Sequence, residues 1–126
     1  MTGWRILLAF AFATGACRRA AAPMPDVFTT EVGAWHRTSV AELSPPAGVE
    51  RLRAASYQGP GKLDARVYQL PSPAGALDMA QQWKPSPETV FFYNDRFFVL
   101  IRWQTADRQA LHEFVGVLEK RFPGRQ

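Results

Sequence analysis

The feature that most constrains the fold is the stretch at residues 89–104, which reads TVFFYNDRFFVLIRWQ. Two runs of β-branched and aromatic residues flank Asn94-Asp95, a dipeptide that tolerates the left-handed backbone that tight hairpins need. In the second run, alternate side chains point to opposite faces of a strand. One set is apolar throughout: Phe97, Val99, Ile101 and Trp103. The other set is apolar in the middle with a cation at each end: Arg96, Phe98, Leu100 and Arg102. The stretch therefore predicts a central antiparallel hairpin with a core side and a partly solvated side.

A second hairpin is predicted upstream, where residues 53–58 and 62–70 flank Gly59-Pro60-Gly61. In its second strand apolar and polar residues alternate, which is typical of an antiparallel sheet with one wet face. The apolar set is Leu63, Ala65 and Val67. A further strand, at residues 35–40, alternates imperfectly, so we expect it at an edge of the sheet. Trp35 in this strand is interpreted as a core residue.

Two helices are predicted. Ser72 followed by Pro73 is a typical helix start, with a capping hydroxyl and then proline in the first turn. The apolar stripe of this helix is Ala76, Leu77, Ala80 and Trp83, and Pro85 and Pro87 end it. The second helix is predicted at residues 106–122 with Thr105 as its cap. Its buried face is predicted as Leu111, Phe114, Val115, Leu118 and Phe122.

These elements predict one α+β domain at residues 33–122, followed by a tail at 123–126. We expect a two-layer sandwich in which an antiparallel sheet of four to five strands carries two helices on one face, because both helices must cover the apolar side. The order along the chain is β-ββ-α-ββ-α. The predicted core comprises Phe97, Val99, Ile101, Trp103, Leu111, Phe114 and Leu118.

The N-terminal residues 1–17 read MTGWRILLAFAFATGAC, with one cation, a short apolar run and three small residues before a cysteine. This layout predicts a signal peptide. The apolar run at 6–13 would reach only about 12 Å as a helix, against about 30 Å of hydrocarbon, which argues against a membrane span. The end of the segment resembles the bacterial lipobox, in which the cysteine becomes the lipid-bearing N-terminus. Here Thr14 stands where that pattern prefers a leucine or similar residue.

Cys17 is the only cysteine in the chain, so it cannot form an internal disulfide, and lipidation would explain its presence. Residues 18–32 contain prolines and no periodicity, and are predicted as a tether. The chain is therefore expected at the bacterial cell envelope, anchored to a membrane through Cys17 and facing the periplasm or the exterior. The alternatives are a secreted protein with an ordinary cleaved signal and an incidental cysteine, and an uncleaved start.

The net charge of +4 comes from scattered cations rather than from the dense basic stripe of a nucleic-acid binder. We therefore expect no nucleic-acid partner. Candidate catalytic and metal residues are equally sparse. His36 and His112 are interpreted as structural or exposed, and Gly59-Pro60-Gly61 as a turn. Asp64 and Glu50 are interpreted as surface carboxylates rather than as an acid/base pair. The sequence predicts no catalytic residue, metal or cofactor.

The best candidate for binding is the outer face of the predicted sheet, where arginine and aromatic residues, the types enriched at interfaces, would lie together. This predicted binding face comprises Arg66, Tyr68, Arg96, Phe98 and Arg102. It suggests a non-catalytic module that binds an anionic envelope component or a protein partner. Three alternatives stay open: a solvated face whose arginine stems cover apolar neighbours, a purely structural envelope lipoprotein, and a secreted protein with a small-molecule or enzymatic role.

A resemblance supports export and fold. The chain resembles a bacterial family of small exported domains of unknown function over residues 35–122. The similar positions are Tyr57-Gln58-Gly59, Val67-Tyr68, Gly75-Ala76 with Gln82-Trp83, and Phe97-Phe98-Val99. These are packing motifs, so the resemblance implies no catalytic residue.

The lipidation hypothesis gives a direct prediction. Wild-type protein produced in a bacterial host should incorporate a labelled fatty acid and fractionate with membranes, since two or more acyl chains anchor a protein firmly. Cys17→Ser should take up no label. A wild-type protein that is unlabelled and soluble outside the inner membrane would establish plain secretion instead.

Overall fold

The computed structural model describes residues 23–122. The predicted signal peptide, with Cys17, and the tail at 123–126 lie outside the described residues. The elements in chain order are β1 Glu31–Val32, β2 Trp35–Leu43, β3 Arg51–Gln58, β4 Lys62–Gln69, α1 Pro73–Gln82, β5 Thr89–Asn94, β6 Phe97–Thr105 and α2 Arg108–Lys120. The strands form one antiparallel sheet in the order β1-β2-β3-β4-β6-β5.

The predicted α+β class is confirmed, but the predicted strand number of four to five was too low, because the described residues form six strands. The strand that the prediction missed is β1. Val32 pairs with Trp35 across a tight turn in which Gly33 has a φ of +59°. This is a left-handed conformation that glycine adopts without steric cost. Two residues are too short for a recognisable alternation, so the pattern could not reveal this strand.

The helices lie on opposite faces of the sheet, which corrects the prediction that both cover one face. We call the side with Phe97, Val99 and Ile101 the core face, and α2 packs there through Phe114 and Leu118. We call the side with Phe98 and Leu100 the groove face, and α1 packs there through Ala76. The physical reason is that β6 is apolar on both faces in its first half, so each side needs its own cover.

The N-terminal strap, residues 24–30, packs against the core face. Three of its side chains are buried: Met24, Val27 and Phe28. Its backbone carbonyls accept hydrogen bonds from three side chains of the domain. An Arg37 guanidinium nitrogen donates to the Phe28 oxygen at 2.6 Å and the Tyr57 hydroxyl to the Thr29 oxygen at 2.6 Å. Arg121 donates to the Val27 oxygen at 3.0 Å and to the Thr29 hydroxyl at 2.6 Å.

The strap corrects the predicted tether at 18–32 and the predicted domain start at 33, because Met24, Val27 and Phe28 already pack in the core. Burying each of its three large apolar side chains contributes about 1.5–3 kcal/mol relative to exposing it. The prolines and the missing periodicity suggested a tether, but neither prevents an irregular segment from packing when its carbonyls find donors.

The structure confirms the predicted N-terminal cap of α1 and corrects that of α2. Ser72 caps α1 as expected, since its hydroxyl accepts a hydrogen bond from the Gly75 amide at 3.1 Å. The cap of α2 is Asp107, which accepts from the Ala110 amide at 3.0 Å. The predicted cap, Thr105, is instead the last residue of β6, so α2 begins two residues later than predicted.

The predicted core is largely confirmed. Its buried members are Phe97, Val99, Ile101, Phe114 and Leu118, whereas Trp103 and Leu111 are half-buried. Trp35 is buried as expected, and its indole N–H donates to the Ala110 oxygen at 3.1 Å. Leu77, predicted in the stripe of α1, is instead 39% exposed. The β5–β6 turn lies at residues 95–96, one residue later than predicted, with Asp95 at a φ of 56°.

Removing the Phe114 ring should destabilise the domain strongly. The ring is fully buried and makes edge contacts with Trp35 and Tyr57, at centroid distances of 5.9 and 5.1 Å. Phe114→Ala should therefore cost about 3–5 kcal/mol in denaturant unfolding. Leu77→Ala, at an exposed helical site, is the control and should change stability by less than about 1 kcal/mol. A loss below about 1 kcal/mol for Phe114→Ala would mean that α2 does not pack as described.

Tyr57 should make the domain lose stability in alkali. Burial raises the pKa of Tyr57 to about 12, and Asp26 adds to this shift, although the nearby cations Arg37 and Arg121 oppose it. The unfolded chain ionises the same phenol near its ordinary pKa of about 10. The contribution is thus fully present below pH 10 and is lost as the pH rises to 12, by about 2–3 kcal/mol.

Tyr57→Phe tests this directly. At pH 7 the variant should lose about 0.5–1.5 kcal/mol, since its ring cannot donate to the Thr29 oxygen. Between pH 10 and 12, its unfolding free energy should fall less steeply than that of the wild type. Equal slopes for the two proteins in that range would rule out a buried, protonated Tyr57.

Candidate functional site

The groove face is only partly covered by α1. The groove, which lies beside the helix, has a volume of about 380 Å³. It is lined by Ala54, Ala55, Ser56, Asp64, Arg66, Tyr68, Trp83, Leu100 and Arg102. Three of the five residues of the predicted binding face therefore come together here: Arg66, Tyr68 and Arg102.

The pairing of the strands arranges the residues of the groove floor in two rows that run across the sheet. Asp64 lies opposite Ser56 on β3 and opposite Arg102 on β6. Arg66 lies opposite Ala54 and Leu100 in the next row. Residues opposite each other in an antiparallel pair share a face, so all six point to the same side. The small side chain of Ala54 leaves depth beside the long Arg66.

Trp83 forms the wall of the groove at the end of α1. It follows the last helical residue, and its backbone N–H donates to the Met79 oxygen at 3.0 Å. Pro85 follows two residues later and disfavours a helical backbone at the residue before it. The Trp83 ring packs against Phe98 at 5.2 Å and Tyr68 at 6.2 Å between centroids. Trp83 remains half-buried, so part of its surface lines the groove.

The electrostatics of the groove are dominated by two arginines. Arg66 and Arg102 are both exposed, and neither takes part in any of the ion pairs formed among residues 23–122. The single carboxylate, Asp64, accepts a hydrogen bond from the Ser56 hydroxyl at 2.7 Å. Two cations and one carboxylate give the groove a net positive charge.

Two residues of the predicted binding face do not line the groove. Phe98 is fully buried, because α1 and Trp83 cover the middle of the groove face. Arg96 lies in the β5–β6 turn, at the opposite end of β6 from Arg102. Its Nε lies 4.0 Å from the nearest oxygen of Asp95. The prediction of one accessible face is therefore wrong for Phe98, and Tyr68, although it lines the groove, is itself only 6% exposed. Arg96 does not line the groove.

The predicted binding face lacked six of the nine lining residues, among them Ala54, Ser56 and Trp83. The first two were recoverable in principle, because alternation along β3 places them on the same face as Leu52. Trp83 carried no such signal. Its place at the groove depends on how α1 crosses the sheet, and its spacing along the chain indicates only the apolar stripe of a helix.

Two other cavities, each of about 300 Å³, offer weaker sites. The first lies on the core-face side of β2 and β3, but three of its four charged side chains are already engaged. Arg53 pairs with Glu42 at 2.6 Å, and Arg37 binds the strap. The second borders the groove and shares Ser56 and Asp64 with it.

The remaining candidate residues do not form a catalytic or metal constellation in the described part of the chain. His36 contacts Glu31 at 2.8 Å on the surface, and His112 is exposed on α2. No group of three His, Cys, Asp or Glu side chains within residues 23–122 is arranged to hold a metal ion. The Glu50 backbone N–H donates to the Gln69 oxygen at the end of β4. Gln69 lies five residues from Asp64, so Glu50 and Asp64 are separated by roughly 16 Å along the strand.

Neither described helix combines the length and the apolar character that crossing a bilayer requires. Comparison with protein-family models, with curated proteins and with solved structures finds none that matches this chain. The resemblance to a family of small exported domains therefore stays a prediction from the residues alone.

Proposed function

We propose that this chain is a non-catalytic binding module of the bacterial cell envelope, and that its ligand carries an anionic group held by Arg66 and Arg102. The observation that carries this proposal is that both guanidinium groups border a groove while taking no part in the ion pairs among residues 23–122. Arginine binds carboxylate, sulfonate and phosphate groups through several directed N–H donors.

The separation of the two arginines supports one shared anion. Arg66 and Arg102 are diagonal neighbours on β4 and β6, because Arg66 lies opposite Leu100 and Arg102 lies opposite Asp64. Diagonal neighbours on an antiparallel pair stand about 7–8 Å apart. Two long flexible side chains starting at that separation can converge on a single group between them.

The location at the envelope is part of the same proposal and is supported by the residues before the strap. Residues 1–17 have the layout of a signal peptide and end in a segment that resembles a lipobox, apart from Thr14. Met24 already packs in the core, and it lies seven residues after Cys17. Seven residue steps span at most about 25 Å. A lipid at Cys17 would therefore hold the domain closer to the membrane surface than the tether expected over residues 18–32 would.

The proposal predicts a specific anion site that inorganic phosphate should reveal. In a titration of the ¹⁵N-labelled protein at a constant ionic strength of about 0.1 M, the amide resonances around Arg66 and Arg102 should shift and saturate. Arg66→Gln with Arg102→Gln should weaken binding at least about tenfold, since a hydrogen bond to a charged group contributes about 1.5–3 kcal/mol. The exposed sites make large losses of stability unexpected.

The matched control is Arg96→Gln with Arg108→Gln, which removes the same charge from the β5–β6 turn and from the start of α2. This variant should bind phosphate like the wild type. Equal weakening by both pairs of substitutions would show that only net charge attracts the anion, and would contradict a site at the groove.

A further inference from the structure

We infer that the natural ligand of the groove is an amphipathic aromatic anion, whose acidic group lies between Arg66 and Arg102 and whose flat ring packs against Trp83. This inference rests on the proposed function, because it uses the same two arginines. It adds the chemistry of the rest of the ligand, which the apolar half of the groove indicates.

The apolar half of the groove is formed by residues from three elements. Leu100 and Ala54 lie in the floor, on either side of Arg66 in the same row. Trp83 and Tyr68 form the inner wall next to the end of α1. Arg102 and Asp64 lie in the next row, toward the open half of the face, and the Arg66 side chain starts between Ala54 and Leu100. A ligand that fills the groove thus meets apolar surface at Trp83 and charge toward Arg102, with Arg66 between them.

The wall belongs to a cluster of aromatic rings that already pack with tilted geometry. Trp83, Tyr68 and Phe91 each lie within 6 Å of Phe98, measured between centroids at 5.2, 5.9 and 5.3 Å. Aromatic pairs gain stabilisation beyond their buried area when rings meet in offset or edge geometries. A ligand ring against the accessible part of Trp83 would extend this cluster, whereas an aliphatic chain would gain only from burial.

The size of the groove indicates a small ligand rather than a polymer. Its volume of about 380 Å³ lies at the low end of the range of roughly 300–1,000 Å³ typical of small-molecule sites. A single ring system with one acidic group matches that space. Because two cations face one carboxylate, a ligand with one or two negative charges complements the groove.

A pair of dyes that differ only in an acidic group tests the inference. 8-Anilinonaphthalene-1-sulfonate has the same ring system as N-phenyl-1-naphthylamine, and adds a sulfonate. The fluorescence of each is followed during titration of the folded protein at about 0.1 M ionic strength. The sulfonate should bind at least about tenfold more tightly than the neutral dye, since only it can form charge-assisted hydrogen bonds with Arg66 and Arg102.

Substitutions in the groove separate the contribution of the arginines from that of the Trp83 ring. Arg66→Gln with Arg102→Gln should remove most of the difference between the dyes, whereas Arg96→Gln with Arg108→Gln should preserve it. Trp83→Leu should weaken both dyes by about 2- to 12-fold through the lost ring contact, and should leave phosphate binding unchanged. The control is Trp103→Leu, which removes a half-buried tryptophan from the opposite face and should not affect either dye.

Site-specific readouts guard against dye binding to partly unfolded protein, which exposes apolar surface. The near-ultraviolet circular dichroism of each variant is compared with that of the wild type. In the wild type, the sulfonate dye should shift the indole N–H resonance of Trp83 and the amides of Ala54 and Arg66. If Trp83→Leu does not fold, Trp83→Phe is used instead, because it keeps an aromatic ring. Trp83→Phe should bind both dyes more tightly than any variant with a non-aromatic residue at this position.

The outcomes distinguish this inference from the proposed function. Equal affinity of the wild type for both dyes, or an unshifted Trp83 indole resonance, overturns the amphipathic ligand. If phosphate still binds at the arginines in that case, the anion site stands and only the ring contact is wrong. If phosphate also fails to bind there, the proposed function itself is wrong.

Discussion

Five consecutive residues of β6, from Phe97 to Ile101, are buried, and most of the architecture depends on this constraint. Successive side chains of a strand point to opposite faces, so a strand buried along five residues needs cover on both sides. α2 and the N-terminal strap cover the core face, and α1 covers the groove face. Antiparallel sheets commonly leave one face to water, but β6 is too apolar in its first half for that arrangement.

The groove follows from incomplete cover of the same sheet. α1 has ten residues and is about 15 Å long, whereas the eight residues of β4 extend about 27 Å. A helix of this length cannot cover the whole face, and Pro85 prevents its continuation. The row that contains Phe98 lies under the helix, and the row that contains Asp64 and Arg102 stays open. The helix therefore covers the apolar first half of β6 and leaves the polar second half uncovered.

Two pairs of arginines in the domain have different physical roles. Arg37 and Arg121 donate to backbone carbonyls of the strap, and so satisfy acceptors that an irregular segment cannot pair within itself. Arg66 and Arg102 line the groove without an ion-pair partner among residues 23–122. Charge alone does not separate the groups. The difference is whether a neighbouring segment brings acceptors to the guanidinium group.

The sequence by itself determined the local structure: two hairpins, the start of α1 at Ser72, and the alternation that places Arg66 and Arg102 on one face. These features depend on residues that are close in the chain. Only the tertiary structure decided that the helices lie on opposite faces, that the strap joins the core, and that Trp83 rather than Arg96 borders the groove. Each of these depends on packing between segments that are distant in the chain. Which segment packs on a buried surface is decided by its shape and by the hydrogen bonds it can form there, and a local sequence pattern encodes neither.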